Sequence, residues 1–229
     1  MKYDVIIFDA DETLFDFRKS EKVAFKNVML EFQLDYKEDY HLKIYHTINN
    51  AIWKEFEKGL ITQEKLKVER FKLLSEQLNI DFDEYDFAKA YMKHLSRASF
   101  LFEDSIKVID ELSKDHRLII MTNGLKSVQD IRIRKSVIAK YFEDIVVSEE
   151  VGVNKPDSKI FEHALNNINY TDKKKVLIVG DSLTSDIKGG LNFGIDTCWF
   201  NPNKKPNESE IKPTYDISTL LEIKKILSN

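Results

Sequence analysis

The run Val5-Ile6-Ile7-Phe8 constrains this chain most, because it ends directly in Asp9-Ala10-Asp11-Glu12-Thr13. Four consecutive branched or aromatic apolar residues without polar alternation read as a strand buried on both faces, the kind found in parallel sheets. Parallel neighbours need crossover connections, usually helices, so one such strand predicts others separated by helical stretches. Further runs follow at 118–121, 145–147, 176–179 and 197–200, with a short edge strand at 215–217. The segments between them carry apolar residues at helical spacing, as in Ile160, Phe161, Ala164, Leu165 and Ile168. The pattern predicts an α/β fold, a Rossmann-like parallel sheet covered by helices on both faces.

One long interval breaks this rhythm. From residue 16 to 99 there are four amphipathic helical patterns in a row. The first follows Ser20 as N-cap, and the second carries Ile44, Ile48, Ile52 and Phe56 and stops at Gly59. The third opens at Thr62 and the fourth near Asp83, both good capping residues. The expected organisation is an α/β core of residues 1–15 and 100–229 with an inserted all-helical domain at 16–99. In the later half, 128–142 reads as one basic-faced helix, and Thr219 with Glu222 reads as a capping box for the last helix.

Composition removes several function classes. With 42% hydrophobic and 32% charged residues and a net charge of −4, the chain offers no basic surface for a nucleic acid polymer. No stretch approaches the ~20 apolar residues of a membrane span, and Asp4, Asp9 and Asp11 interrupt the start too early for a signal peptide. A single cysteine, Cys198, fits a reducing compartment, so the expectation is cytoplasmic. Oligomeric state is left open between monomer and weak dimer.

In a parallel sheet the strand ends share one edge, the edge where open α/β sheets bind ligands. Asp9 and Asp11, Thr122-Asn123-Gly124, Lys155, and Asp181 with Asp186 all follow strands and would converge there. So many carboxylates repel one another unless a cation sits among them. A hard divalent ion such as Mg²⁺ suits oxygen ligands, whereas His41, His46, His94, His116 and His163 show no zinc spacing. Lys155, the Thr122 hydroxyl and the amides around Asn123 and Gly124 supply donors of the type that hold a phosphoryl group. In such a site a carboxylate can attack phosphorus, and a second acid two residues on can protonate the leaving oxygen and later activate water.

Asp9-x-Asp11-x-Thr13, the strand into Thr122-Asn123-Gly124, Lys155-Pro156, and Gly180-Asp181-Ser182 with Asp186 resemble, in order, the four motifs of the haloacid dehalogenase-like hydrolases. The resemblance implies Asp9 as nucleophile, Asp11 as acid/base, and Thr122 and Lys155 on the phosphoryl oxygens. It further implies Mg²⁺ on the Asp9 and Asp181 side chains and the Asp11 carbonyl, with Asp186 in the outer shell. The run 8–17, with Glu12 where many members carry glycine, is similar to the branch of pyrimidine 5′-nucleotidases, as are 148–156 and 197–201. That implies a small phosphomonoester substrate, foremost dUMP, dTMP or UMP. Phe15, Phe17, Tyr45 and Trp53 are candidates to stack on a base, although aromatics at helical spacing more often fill a core.

Other readings use the same residues. They are a phosphatase of phosphoglycolate or a sugar phosphate, a phosphosugar mutase, a 2-haloacid dehalogenase, and a non-enzymatic phosphoacceptor. A dehalogenase has no use for Asp11 and Asp181, and a phosphoacceptor has no use for an inserted domain. The resemblance makes the inserted helices at 16–99 a cap domain over the catalytic core of 1–15 and 100–229, expected to act as a lid with hinges at 14–17 and 99–103.

Overall fold

The computed structural model describes residues 2–228. The chain runs β1 (Val5–Phe8), α1 (Phe17–Glu31), α2 (Lys43–Glu57), α3 (Gln63–Leu78), α4 (Glu84–Arg97), α5 (Ser105–Leu112), β2 (Arg117–Thr122) and α6 (Lys126–Arg132). It continues through β3 (Asp144–Val147), α7 (Ser148–Val151), α8 (Ser158–Asn167), β4 (Val176–Gly180), α9 (Lys188–Phe193), β5 (Asp196–Phe200), β6 (Tyr215–Ile217) and α10 (Ile223–Ser228). It divides into two compact units, one of them Arg18–Ala98 and the other made of the flanking segments.

In the flanking unit the six strands form one sheet in the order β3-β2-β1-β4-β5-β6, and every pairing is parallel. β1 is central because its four residues are fully buried and its neighbours add Leu118 to Met121 and Val176 to Val179 on either side. One face packs Ile6, Phe8, Val108, Ile109 and Ile133, the other Val5, Ile7, Ile160, Phe161 and Ala164. The chain leaves β1 for β2 on one side and returns to β4 on the other, so a crevice opens at the carboxyl ends of β1 and β4. Phe8 pairs with Val179, which sets Asp9 level with Gly180 and one step from Asp181.

The helix expected over 128–142 is broken. α6 ends at Arg132, and a single 3₁₀ turn, Ala139–Tyr141, follows later. Ile133 and Ile138 are both fully buried in the same cluster. On a continuous helix, residues five apart point about 140° away from each other. The chain therefore unwinds at 133–138 to place both isoleucines inward. Leu220 to Glu222 and α10 follow Thr219, whose capping box with Glu222 is formed.

The other unit is helical throughout. Thr62 caps α3 by accepting from Lys65 N, and Asp83 caps α4 by accepting from Asp86 N. Ser20 does not cap α1: the helix starts at Phe17, and Ser20, Ala24 and Val28 lie four apart on its buried stripe. Phe25 stacks on Tyr45 at 4.6 Å, and Phe71 and Tyr91 continue the aromatic core. Within it Asn49 donates to Glu21 (2.9 Å) and accepts from Arg70 (2.8 Å), so the buried guanidinium and carboxylate are linked through one amide. Tyr45 is thus a core residue, and Trp53 lies edge-on to Phe56.

Candidate active site

The loop after β1 turns back tightly: the amides of Leu14 and Phe15 both donate to the Ala10 carbonyl at 2.9 Å. This turn needs one residue in the left-handed region, and Glu12 takes it with φ of 63°. A non-glycine residue there costs on the order of 1 kcal/mol. The same turn brings Thr13 under Asp9, where its hydroxyl donates to Asp9 Oδ2 at 3.2 Å.

Asp9 Oδ1 faces Lys155, whose Nζ donates at 2.6 Å and also reaches the Met121 carbonyl at 2.8 Å. Lys155 Nζ lies 2.7 Å from Asp186 Oδ1 as well, so a single ammonium sits between two buried carboxylates. Asp186 is held from the other side, its Oδ2 accepting from Ser182 N at 3.0 Å. It approaches so closely that any side chain on Gly180 would collide with it, which explains the glycine at the end of β4. The Asp181 carbonyl accepts from the Trp199 indole at 2.8 Å.

Carboxylate oxygens of Asp9, Asp181 and Asp186 come within 4.8 Å of one another. Burial, only partly offset by Lys155 and reinforced by Asp186 and Asp11, pushes the Asp9 carboxyl up to about 7. Asp181 is pushed well above the usual carboxylate range by burial and by the charges of Asp9, Asp186 and Glu12. Burial works against the Lys155 charge, yet Asp186 and Asp9 hold that ammonium above its ordinary pKa. One cation among these acids is too few. An all-oxygen donor set under such repulsion suits a hard divalent cation.

Asn123 locks the second and third motifs together. Its side chain donates to the Lys155 carbonyl at 3.0 Å and accepts from the Lys155 amide at 2.9 Å. Thr122 Oγ1 accepts from Gly124 N at 3.1 Å and from Gln129 Nε2 at 3.4 Å. A hydroxyl that already accepts twice keeps its one proton to donate outward. Gly124 has no room for a side chain because Gln129 fills the space.

A sequence model of the haloacid dehalogenase-like hydrolases matches residues 6–200. The chain belongs to that family. Among relatives of this hydrolase, the protein designated HAD-hydrolase YfnB of Bacillus subtilis is 35% identical over 99% of this chain and 96% of its own. Pyrimidine 5′-nucleotidase YjjG of Escherichia coli is 33% identical over 99% of both chains. Pyrimidine 5′-nucleotidase PynA of Streptococcus pneumoniae is 33% identical over 95% of this chain and 92% of its own. The YfnB structure, solved with bound magnesium, superposes on the hydrolase with a TM-score of 0.94 and covers both chains fully.

The structure thus gathers Asp9, Asp11, Thr122, Asn123, Lys155, Asp181 and Asp186 around one sheet edge. Sequence reasoning missed three residues that touch them: Gln129, Arg132 and Trp199. Arg132 is fully buried and its Nη1 donates to Asp11 Oδ1, while Gln129 Nε2 donates to Asp11 Oδ2 at 3.1 Å. A signal was present, since Val128 and Arg132 lie four apart on one stripe of α6, and an arginine in line with an apolar residue has to find a buried partner. Of the aromatic candidates near the site, Phe15 is fully buried and packs in the core. Among the described residues no helix is long and apolar enough to cross a membrane.

Proposed function

We infer that this hydrolase is a Mg²⁺-dependent phosphomonoesterase that works through a phosphoaspartate on Asp9, with pyrimidine nucleoside monophosphates as its substrates. The chemistry rests on one observation above the others: Asp9 stands between a lysine and two further carboxylates, with Asp11 two residues on. In the first step Asp9 Oδ2 bonds to phosphorus, the ester P–O bond breaks, and the leaving oxygen takes a proton from Asp11. In the second, water attacks the phosphoaspartate, Asp11 takes the water proton, and the Asp9–phosphorus bond breaks to give inorganic phosphate. Lys155 fixes Asp9 and neutralises phosphoryl charge, and Thr122 donates its hydroxyl to a phosphoryl oxygen.

Mg²⁺ would be held by Asp9 and Asp181, with Asp11 giving its carbonyl and Asp186 an outer-shell contact. When bound it supplies charge stabilisation to the phosphoryl group. The substrate class draws its support from YjjG and PynA, both pyrimidine 5′-nucleotidases alike to this chain along nearly its whole length.

A phosphate-release screen over nucleoside monophosphates, sugar phosphates and phosphoglycolate tests this reading. dUMP, dTMP and UMP are expected among the best substrates, and Asp9→Asn is expected to abolish turnover of all of them. A preference for sugar phosphates would discard the nucleotidase assignment and keep the phosphatase. Retained turnover in Asp9→Asn would discard the phosphoaspartate.

A further inference from the structure

Asp11 is not left to find its own orientation. Its two oxygens are engaged separately, Oδ1 by Arg132 and Oδ2 by Gln129. Those two donors are themselves joined, because Arg132 Nη1 also donates to Gln129 Oε1 at 3.2 Å. The guanidinium lies over the ring of Phe15 at 5.1 Å and that of Phe17 at 5.3 Å, which restricts it to one plane. The backbone behind it is pinned as well, with Ser99 Oγ donating to the Arg132 carbonyl at 2.7 Å. Arg132 is fully shielded from solvent, so no water competes for its place beside the carboxylate.

We propose that Arg132 and Gln129 are positioning residues that fix the Asp11 carboxylate in the one orientation from which it exchanges a proton with the leaving oxygen. The proposal rests on the phosphomonoesterase reading, and on Asp11 as its acid/base. A carboxylate has about four lone-pair sites, and two donors occupy only one on each oxygen. The sites that remain are held in fixed directions, whereas a free aspartate would rotate about its side-chain bonds and lose that alignment. Gln129 adds a second connection: the same Nε2 that reaches Asp11 reaches Thr122 Oγ1, so the acid/base and the phosphate-holding hydroxyl are set from one amide. The fixed plane of a guanidinium is what this arrangement needs, and a lysine at 132 would bring charge without it.

The test is a double-mutant cycle on kcat/KM with two aryl phosphates, which needs no knowledge of the natural substrate. Phenyl phosphate has a leaving group that needs a proton, whereas p-nitrophenyl phosphate leaves well without one. Arg132→Met is expected to lower kcat/KM for phenyl phosphate roughly a hundredfold, within the range that general acid catalysis supplies, and for p-nitrophenyl phosphate only about threefold. In an Asp11→Asn background the same change should cost less than about twofold, because there is no acid left to orient. Arg132→Lys should recover less than about a tenth of the lost activity.

Should Arg132→Met not fold, Gln129→Leu serves in its place, since it removes one donor and keeps the ion pair. Its expected loss for phenyl phosphate is about tenfold, falling in Asp11→Asn to the roughly twofold that its contact with Thr122 carries. Equal losses on both esters, or the same loss with and without the Asp11 carboxyl, would make these residues merely structural and overturn the proposal. A wild-type enzyme that hydrolyses neither ester would instead overturn the phosphomonoesterase reading, and the proposal with it.

Discussion

Lys155 Nζ lies 2.6 Å from Asp9 Oδ1, and the lysine is only 2% exposed. Removing one partner of a buried ion pair leaves the other charge without compensation, which typically costs about 3–5 kcal/mol. Here the deficit is larger in kind, because Asp186 depends on the same ammonium. Lys155→Met should therefore lower the unfolding free energy by roughly 5 kcal/mol in urea at pH 8, and cut phosphatase kcat by about a thousandfold. A variant that kept full stability would mean the two carboxylates have another source of charge compensation.

Metal binding should be readable without any substrate. The carboxylates of Asp9, Asp181 and Asp186 repel each other in the folded chain and are dispersed in the unfolded one, so a cation that joins them stabilises only the folded state. At ten times its dissociation constant Mg²⁺ should add about 1.4 kcal/mol. For a chain of this size that is a rise of roughly 3–5 °C in Tm, followed by circular dichroism or calorimetry. Asp181→Asn should abolish the rise. A shift of equal size in that variant would remove Asp181 from the metal site.

Much of this architecture is legible in the amino-acid sequence, for a physical reason. Strands buried on both faces, such as β1 and β4, cannot afford a polar residue, so Val5-Ile6-Ile7-Phe8 and Val176-Leu177-Ile178-Val179 announce themselves, and the polar residues that end them mark the functional edge. Thr62 and Asp83 are legible because caps are local chemistry. The break after α6 is not, because only the shared burial of Ile133 and Ile138 demands it. Arg132 escapes for the same reason. In the run Ile131-Arg132-Ile133-Arg134-Lys135 it looks like one more solvated cation, and only tertiary contact separates it from Arg134, which lies on the surface against Asp130 and Glu150.

Trp199 offers a test of how far support behind the metal site matters. It stands on β5, and its indole donates to the Asp181 carbonyl at 2.8 Å, fixing the loop that leaves β4. Trp199→Phe keeps an aromatic ring but leaves that carbonyl without its donor, a loss of about 1 kcal/mol or more. If that loss is felt at Asp181, Mg²⁺ affinity should fall about fivefold in calorimetric titration. At saturating Mg²⁺, kcat should stay within about twofold of wild type, because the indole touches none of the reacting groups. A large kcat defect at saturation would give Trp199 a more direct part.

A pH-dependent element lies in the helical unit, away in sequence from the catalytic motifs. His46 Nε2 is 2.7 Å from Glu21 Oε2, and Glu21 is itself buried and tied to Arg70 through Asn49. Contact with the Glu21 carboxylate raises the His46 pKa above its ordinary 6.5, against the opposing effects of burial and of Arg18. A group whose pKa is higher folded than unfolded binds protons more tightly when folded. Its contribution is therefore complete below pH 6.5 and is lost as pH rises through the raised folded value. His46→Gln should accordingly melt below wild type at about pH 5.5 and approach it by about pH 9, with Tm measured across that interval for both proteins. A Tm gap that stayed constant with pH would assign the contact to hydrogen bonding alone, and one that widened toward the alkaline end would reverse the sign of the linkage.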